Sequence, residues 1–369
     1  MSRYILISLV FLAADADSLV QSSLSNNIAG VHQIARDVHN NPVPTARHGN
    51  SIWNNMAIFR DRWWAGPVTD YINLDWGILQ DQGNGLPDEI IDGFTFTYAT
   101  NNREMTGESL SIHFYDSCTG NGNMGILEAG FTFTGLPNAA TYGTLPPGYG
   151  WAFSVSVDLE GSGYEFLLGE EIGIGYIRRT TPQMGGTGFC VGCPGNKGGN
   201  GYTGTEDRWD EYYPNGVYLN TWYFGCGYPT DPWMTFSTEL FGGQDPATTM
   251  AYEGIGAQGN DASLYVVGDW APGSRVQFLM RKNDLQLPGW LIASTGLSQK
   301  YYPGLDVTLL PGFPLLAQMP MRPDAVGDFD RYGLDVGPVL SGLRLYFQGA
   351  LTAVQPLGPI DLSNGVYSN

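Results

Sequence analysis

Alternation of apolar and polar residues is the dominant pattern along most of this chain. In "GFTFTYAT" (93–100), Phe94, Phe96 and Tyr98 alternate with Thr95 and Thr97, the period of two expected of a half-buried strand. "SLSIHFYD" (109–116) repeats the alternation, and "GFTFTGLPNAATYGT" (130–144) restates the phrase "GFTFT" 37 residues after its first use. No third copy follows, so the chain is not a repeat array. "WAFSVSVDL" (151–159), "YEFLLG" and "IGIGYIRR" continue the series. "DEYYPNGVYLNTWYFG" (210–225) predicts a hairpin, two aromatic strands about a Pro-Asn-Gly turn, and "PWMTFSTELFG" (232–242) a strand after it. One segment breaks the pattern. In "NIAGVHQIARDVHN" (27–40), Ile28, Val31, Ile34, Ala35 and Val38 fall at helical spacing behind Asn27 as a cap, which predicts a short helix.

A Gly-, Gln-, Pro- and Thr-rich stretch, "GGQDPATTMAYEGIGAQGND" (242–261), divides this region from a second one. Beyond it, "ASLYVVGDWAPGSRVQFLMRK", "LDVTLLPGFPLL", "YGLDVGPVLSGLRLYFQGALTAV" and "GPIDLSNGVYSN" supply further short strands at turn-punctuated spacing. That spacing describes sandwiches or barrels. The expected fold is all-β: two tandem, jelly-roll-like β-sandwich domains, at 49–243 and 247–369. Before them come a linker with a possible short helix at 17–48 and an apolar segment at 1–16. "MSRYILISLVFLAADA" has a basic start, an apolar centre and a small-x-small site, and reads as a secretory signal peptide or a retained apolar segment. No stretch approaches the length of a membrane-spanning helix, so no transmembrane anchor is expected.

Composition strengthens the β reading and narrows the partners. The chain has 369 residues, 51 of them Gly and 23 Pro, and only 14% are charged, so polar duties fall to Ser, Thr, Asn, Gln and backbone. With 17 basic against 36 acidic residues the net charge is −19. Such a surface repels nucleic acid and anionic membranes and favours divalent cations or basic partners.

Three phrases carry a resemblance: "DWGILQDQGNGLPDEIIDGFTFTYAT", "WDEYYPNGVYLNTWYFG" with "PWMTFSTELFG", and the ending "SGLRLYFQGAL…LSNGV". They resemble phrases recurring in secreted β-rich proteins of planctomycete-type bacteria. The resemblance implies secretion and a β fold, and it supplies no catalytic residue.

Four candidate sites remain. "DQGNGLPDEIIDG" (81–93) ends like an aspartate-rich calcium loop, and Asn84, Asp88 and Asp92 are the candidate ligands. Calcium takes six to eight oxygens, more than this loop provides. The competing reading is a turn whose Asp and Asn side chains cap backbone amides. Four cysteines in a secreted chain imply two disulfides. Adjacency favours Cys190–Cys193 and leaves Cys118–Cys226, with a crossed arrangement open. The acids Glu206, Asp207, Asp210 and Glu211 could flank a sugar. On a strand, Asp207 and Glu211 would share one face and Asp210 the other. Trp63, Trp64, Trp209, Tyr212, Trp222 and Trp233 could form a stacking platform, although alternation must send about half of them into the core. One CxxC with two lone cysteines makes zinc the minor reading; no HExxH, nucleophile elbow or phosphate loop appears, and no organic cofactor is expected.

The functional expectation is a non-enzymatic, secreted structural or surface protein. Its partners would be copies of itself or other extracellular matrix components, with self-assembly into a polymer or filament. The alternative is a carbohydrate-binding module or glycan-acting enzyme using exposed aromatics beside Asp207, Asp210 and Glu211.

Overall fold

The computed structural model describes residues 31–33, 50–54, 59–64, 69–79, 85–102, 109–134, 136, 150–160, 164–179, 187–193, 209–222, 235–242, 250–253, 255, 257, 260, 262–268, 270–281, 288–303, 307–312, 314–323, 329–352 and 360–368. Within them the fold is all-β. The strands begin with β1 (Val31–Gln33), β2 (Asn50–Asn54), β3 (Phe59–Trp64), β4 (Ile72–Ile78) and β5 (Glu89–Thr100). Next come β6 (Ser109–Asp116), β7 (Ile126–Thr134), β8 (Trp151–Asp158), β9 (Phe166–Leu168) and β10 (Glu171–Arg178). The first half closes with β11 (Thr187–Cys193), β12 (Trp209–Tyr212), β13 (Tyr218–Trp222), β14 (Thr235–Phe236) and β15 (Thr238–Gly242). The second half opens with β16 (Met250–Glu253), β17 (Ser263–Val267), β18 (Arg275–Arg281), β19 (Gly289–Ser294) and β20 (Leu297–Tyr302). It continues through β21 (Val307–Pro311), β22 (Ala317–Pro320), β23 (Arg322–Pro323) and β24 (Phe329–Asp335). The single-turn helix α1 (Pro338–Ser341) precedes β25 (Tyr346–Thr352) and β26 (Ile360–Ser368). The expected helix over 27–40 is not formed where the chain is described: Val31–Gln33 is a strand, paired with β3 through Val31↔Trp64.

Two sheets enclose the first core. A nine-stranded sheet runs β1-β3-β11-β5-β15-β2, with β14 on β11 and β8 and β9 on β5. A six-stranded sheet runs β13-β12-β4-β10-β6-β7. The duplicated phrase explains how they meet. Alternation in β5 sends Phe94 and Phe96 inward, and the same phrase in β7 sends Phe131 and Phe133 toward them. Phe94 meets Phe131 at 5.2 Å and Phe96 meets Phe133 at 4.9 Å. The two copies of "GFTFT" therefore face each other across the core. Each buried Phe contributes roughly 1.5–3 kcal/mol by burial, and each ring pair about 0.5–1.5 more.

Strand β5 departs from the half-buried expectation, because all twelve of its residues are buried. Its threonines tolerate this through hydroxyl pairing. Thr95 Oγ1 lies 2.9 Å from Ser156 Oγ on β8, and Thr97 Oγ1 lies 3.4 Å from Ser154 Oγ. A buried hydroxyl costs little when it is hydrogen-bonded.

In the second half, a five-stranded sheet (β16-β26-β25-β19-β22) packs against a four-stranded one (β17-β18-β24-β23). Leu264, Phe278, Leu291, Phe347 and Val366 lie in the core between them. The hairpin β20–β21 covers the other face of the five-stranded sheet through Val307, Ala350 and Leu362. Buried amides join these layers where no ladder can. Asn364 accepts from the Leu264 amide at 2.8 Å and donates to the Leu264 carbonyl at 3.0 Å. Gln348 accepts from Leu310 N–H and donates to the Thr308 and Ser363 carbonyls. The ending "YFQGAL…LSNGV" is thus a polar rivet, its amides replacing strand-to-strand hydrogen bonds.

The two halves are not independent. Alternation on β17 and β18 sends Leu264, Val266, Phe278 and Met280 into the second core. The intervening Tyr265, Val267 and Leu279 belong to the first core. The four-stranded sheet therefore serves both halves.

Candidate functional site

The acidic loop that opens β5 ends at this shared boundary. Asp88 Oδ2 accepts a hydrogen bond from Tyr265 Oη at 2.8 Å and one from Arg281 Nε at 3.1 Å. Arg281 Nη1 donates to Glu128 Oε1 at 3.0 Å, and its Nη2 lies 3.9 Å from Asp116 Oδ2. Asp116 Oδ1 in turn accepts the Gly169 amide at 2.6 Å. Three carboxylates thus surround one guanidinium, leaving two negative charges in excess when all are ionised. Burial opposes the charge on Arg281, but Asp88 and Glu128 outweigh it and hold its pKa above the ordinary value. Burial and the neighbouring Asp88 raise the Tyr265 hydroxyl as well. A second tie crosses the boundary from Arg331 Nη2 to the Glu165 carbonyl at 3.2 Å.

Of the candidate calcium ligands, Asp88 is therefore bonded to Arg281 and Tyr265, and Asp92 is buried within β5. Asn84 lies outside the described residues. Among the described residues no group of three or more His, Cys, Asp or Glu is arranged to hold a metal ion.

The second acidic cluster is divided by the pleat. Asp210 and Glu211 are consecutive in β12 and project to opposite faces. On the outer face Asp210 accepts from the Gly122 amide at 3.0 Å, Tyr212 Oη at 3.3 Å and Thr221 Oγ1 at 2.5 Å. On the inner face Glu211 Oε2 accepts from Trp222 Nε1 at 2.8 Å. Its Oε1 is buried without a hydrogen-bond partner among the described residues. Burial raises the Glu211 pKa, partly offset by the Trp222 bond. A carboxylate pair so divided cannot flank one glycosidic bond. Asp207 lies outside the described residues.

The expected row of exposed aromatics is likewise not formed at the described positions. Trp63, Trp64, Trp209 and Tyr212 are at most 2% exposed. Trp64 contacts Trp209 at 5.6 Å and the half-buried Trp222 at 5.9 Å, filling the layer edge with indole. Trp233 lies outside the described residues.

The cysteines also differ from expectation. Cys118 is a buried free thiol, so the Cys118–Cys226 bridge is not formed; Cys226 itself lies outside the described residues. Cys190 and Cys193 are three positions apart on the extended β11. At about 3.3 Å per residue their Cα atoms are roughly 10 Å apart, beyond the ~7 Å that a disulfide spans.

Cys118 belongs to a strap, residues 117–125, that sequence reading missed. This link between β6 and β7 crosses the outer face of the six-stranded sheet as far as β13. Cys118 lies over Gly173, Gly120 over the Trp76 ring, and Gly122 against Tyr218. Ser117, Gly120, Asn121, Gly122 and Gly125 all have positive φ, and at Gly120 a Cβ would overlap Trp76. The cluster "TGNGNMG" was the available signal. Burial, reinforced by the charges of Asp210, Asp75 and Glu171, pushes the Cys118 thiol up to about 12, against the opposing Gly120 bond. A thiol held protonated in this way is no nucleophile. On the same face, burial and Arg179 push His113 down to about 4.

Four accessible apolar side chains lie together on the β12–β13 hairpin, while others, such as Leu316 and Val339, are in the second half. Val217, Tyr218 and Leu219 are 54%, 41% and 37% exposed, and Tyr213 stands beside them against Tyr71. Residues 212–222, "YYPNGVYLNTW", contain no charged side chain. Strand β13 forms one edge of its sheet, without a charged residue but with a bulge at Leu219 where it pairs with β12. No family model matches the chain, and no curated protein or solved structure matches it. Among the described residues, no helix is long and apolar enough to cross a membrane, which does not bear on crossing by strands.

Proposed function

We propose that this chain is a secreted, non-enzymatic structural or surface component of extracellular material that assembles with copies of itself. One contrast carries the reading. The acids and aromatics best suited to chemistry are bonded into the scaffold, whereas Tyr213, Val217, Tyr218 and Leu219 form an accessible apolar group on an uncharged hairpin edge. The division of Asp210 from Glu211 and the burial of Trp209 remove support from a glycan-acting alternative. The apolar segment at 1–16, and the resemblance of the three phrases to those of secreted proteins, support the extracellular reading.

Purified protein examined by light scattering and negative-stain imaging, with and without calcium, tests this. Concentration-dependent oligomers or filaments are expected. A strict monomer at high concentration in both conditions overturns the proposal.

A further inference from the structure

The six-stranded sheet has two edges, β13 and β7, each with one bulge against its inner neighbour, at Leu219 and Glu128, and strand direction and charge suit the two to each other. Every neighbouring pair in the order β13-β12-β4-β10-β6-β7 is antiparallel. An even number of alternating strands leaves the outer two running in opposite directions. A second copy displaced sideways along the sheet therefore presents its β7 antiparallel to the first copy's β13, continuing the alternation.

Charge argues for the same occupant. In a chain of net charge −19, copies repel one another over most of their surface. The hairpin residues 212–222 are uncharged, and β7 has only Glu128, which is buried and paired with Arg281. Both edges thus lie where like-charged copies can approach at least cost. Each also exposes apolar surface, with Val217, Tyr218 and Leu219 on one side and Ile126, 56% exposed, on the other. Among the described residues, no strand flanks β13 or β7 on the outer side.

We infer that copies of this chain join edge to edge, β7 of one adding to β13 of the next, so that the six-stranded sheet runs on from molecule to molecule. This inference rests on the self-assembly proposed above and specifies its contact. Strand addition supplies main-chain hydrogen bonds, and the neutral apolar fringe provides the burial. Because β13 is five residues long, each joint is short and the assembly is concentration-dependent.

Two variants test it, Leu219→Lys and Ile126→Lys, each placing a charge on one edge at an exposed position. Each alone is expected to remain monomeric while leaving the thermal midpoint unchanged. Mixed together, they are expected to form a one-to-one dimer, because the Leu219→Lys copy keeps an intact β7 and the Ile126→Lys copy an intact β13. A misfolded variant would not produce that rescue. In parallel, Leu219→Cys combined with Thr132→Cys is expected to give an oxidised ladder of linked copies, and neither single variant a ladder. Dimers from Leu219→Cys alone, with no ladder from the pair, would place β13 against β13 and overturn the inference. Wild-type assembly unaffected by either lysine would overturn it while leaving self-assembly standing. A wild-type chain that never associates overturns both.

Discussion

Replacing Arg281 with Met isolates the boundary between the two halves. Arg281 makes two charge-assisted hydrogen bonds, at 3.1 Å to Asp88 and 3.0 Å to Glu128, from a side chain only 14% exposed. The Asp88 and Glu128 side chains are 11% and 2% exposed, so solvent screens little of the interaction. Methionine keeps much of the stem's packing but leaves buried carboxylates uncompensated, which costs about 3–5 kcal/mol. That is a large part of the roughly 5–15 kcal/mol by which domains are usually stable. The loss depends on pH in a definite sense. A buried carboxylate left without a counter-charge is favoured in its neutral form. The folded variant is therefore favoured as pH falls, and its deficit narrows below about pH 5, near the ordinary carboxylate range. Urea unfolding at pH 7 and pH 4.5, followed by tryptophan fluorescence, measures both. Adding Asp88→Asn and Glu128→Gln to Arg281→Met is expected to recover most of the loss at pH 7. A deficit under about 1 kcal/mol at pH 7, or one equal at both pH values, refutes the reasoning.

Other outcomes follow from single contacts. His113 has a folded pKa of about 4 against an unfolded 6.5, so its contribution is fully present above pH 6.5 and lost as pH falls toward 4. At about 1.36 kcal/mol per unit its ceiling is about 3 kcal/mol, and His113→Gln is expected to flatten the stability–pH curve across that window. Glu211 has the opposite sign, since its raised pKa favours the protonated folded state. Glu211→Gln should therefore raise the urea midpoint at pH 7 and leave it unchanged near pH 4. Gly120→Ala forces the strap off Trp76, and maleimide labelling of Cys118 under native conditions should rise from negligible to rapid. Asn364→Leu removes both bonds to Leu264 and strands a buried amide and carbonyl, with an expected loss of about 2–4 kcal/mol by thermal unfolding.

Strand content was legible because alternation is a local signal. "GFTFT" declared its inward phenylalanines, and "YYPNGVYLN" its hairpin. The division of Asp210 from Glu211 was also readable from the pleat alone. The segment around Val31 misled because helical spacing over a few residues is weak beside an available partner strand, here β3. What could not be read was everything decided at long range. The guanidinium that neutralises Asp88 lies 193 positions away, and nothing near Asp88 announces it. A run of Asp, Asn and Gly reads alike whether a cation or an arginine completes it. Likewise, alternation in β17 shows two apolar faces, but not that one of them belongs to the core of the other half.

That sharing has a consequence for the order of synthesis. A chain emerging from its N-terminus has made every strand of the nine- and six-stranded sheets by residue 242, yet the core between them still lacks Tyr265, Val267 and Leu279. Asp88, Asp116 and Glu128 meanwhile stand together without their counter-charge until Arg281 appears. The first half is thus held short of its final stability for some forty residues of growth, and β18 completes it from outside.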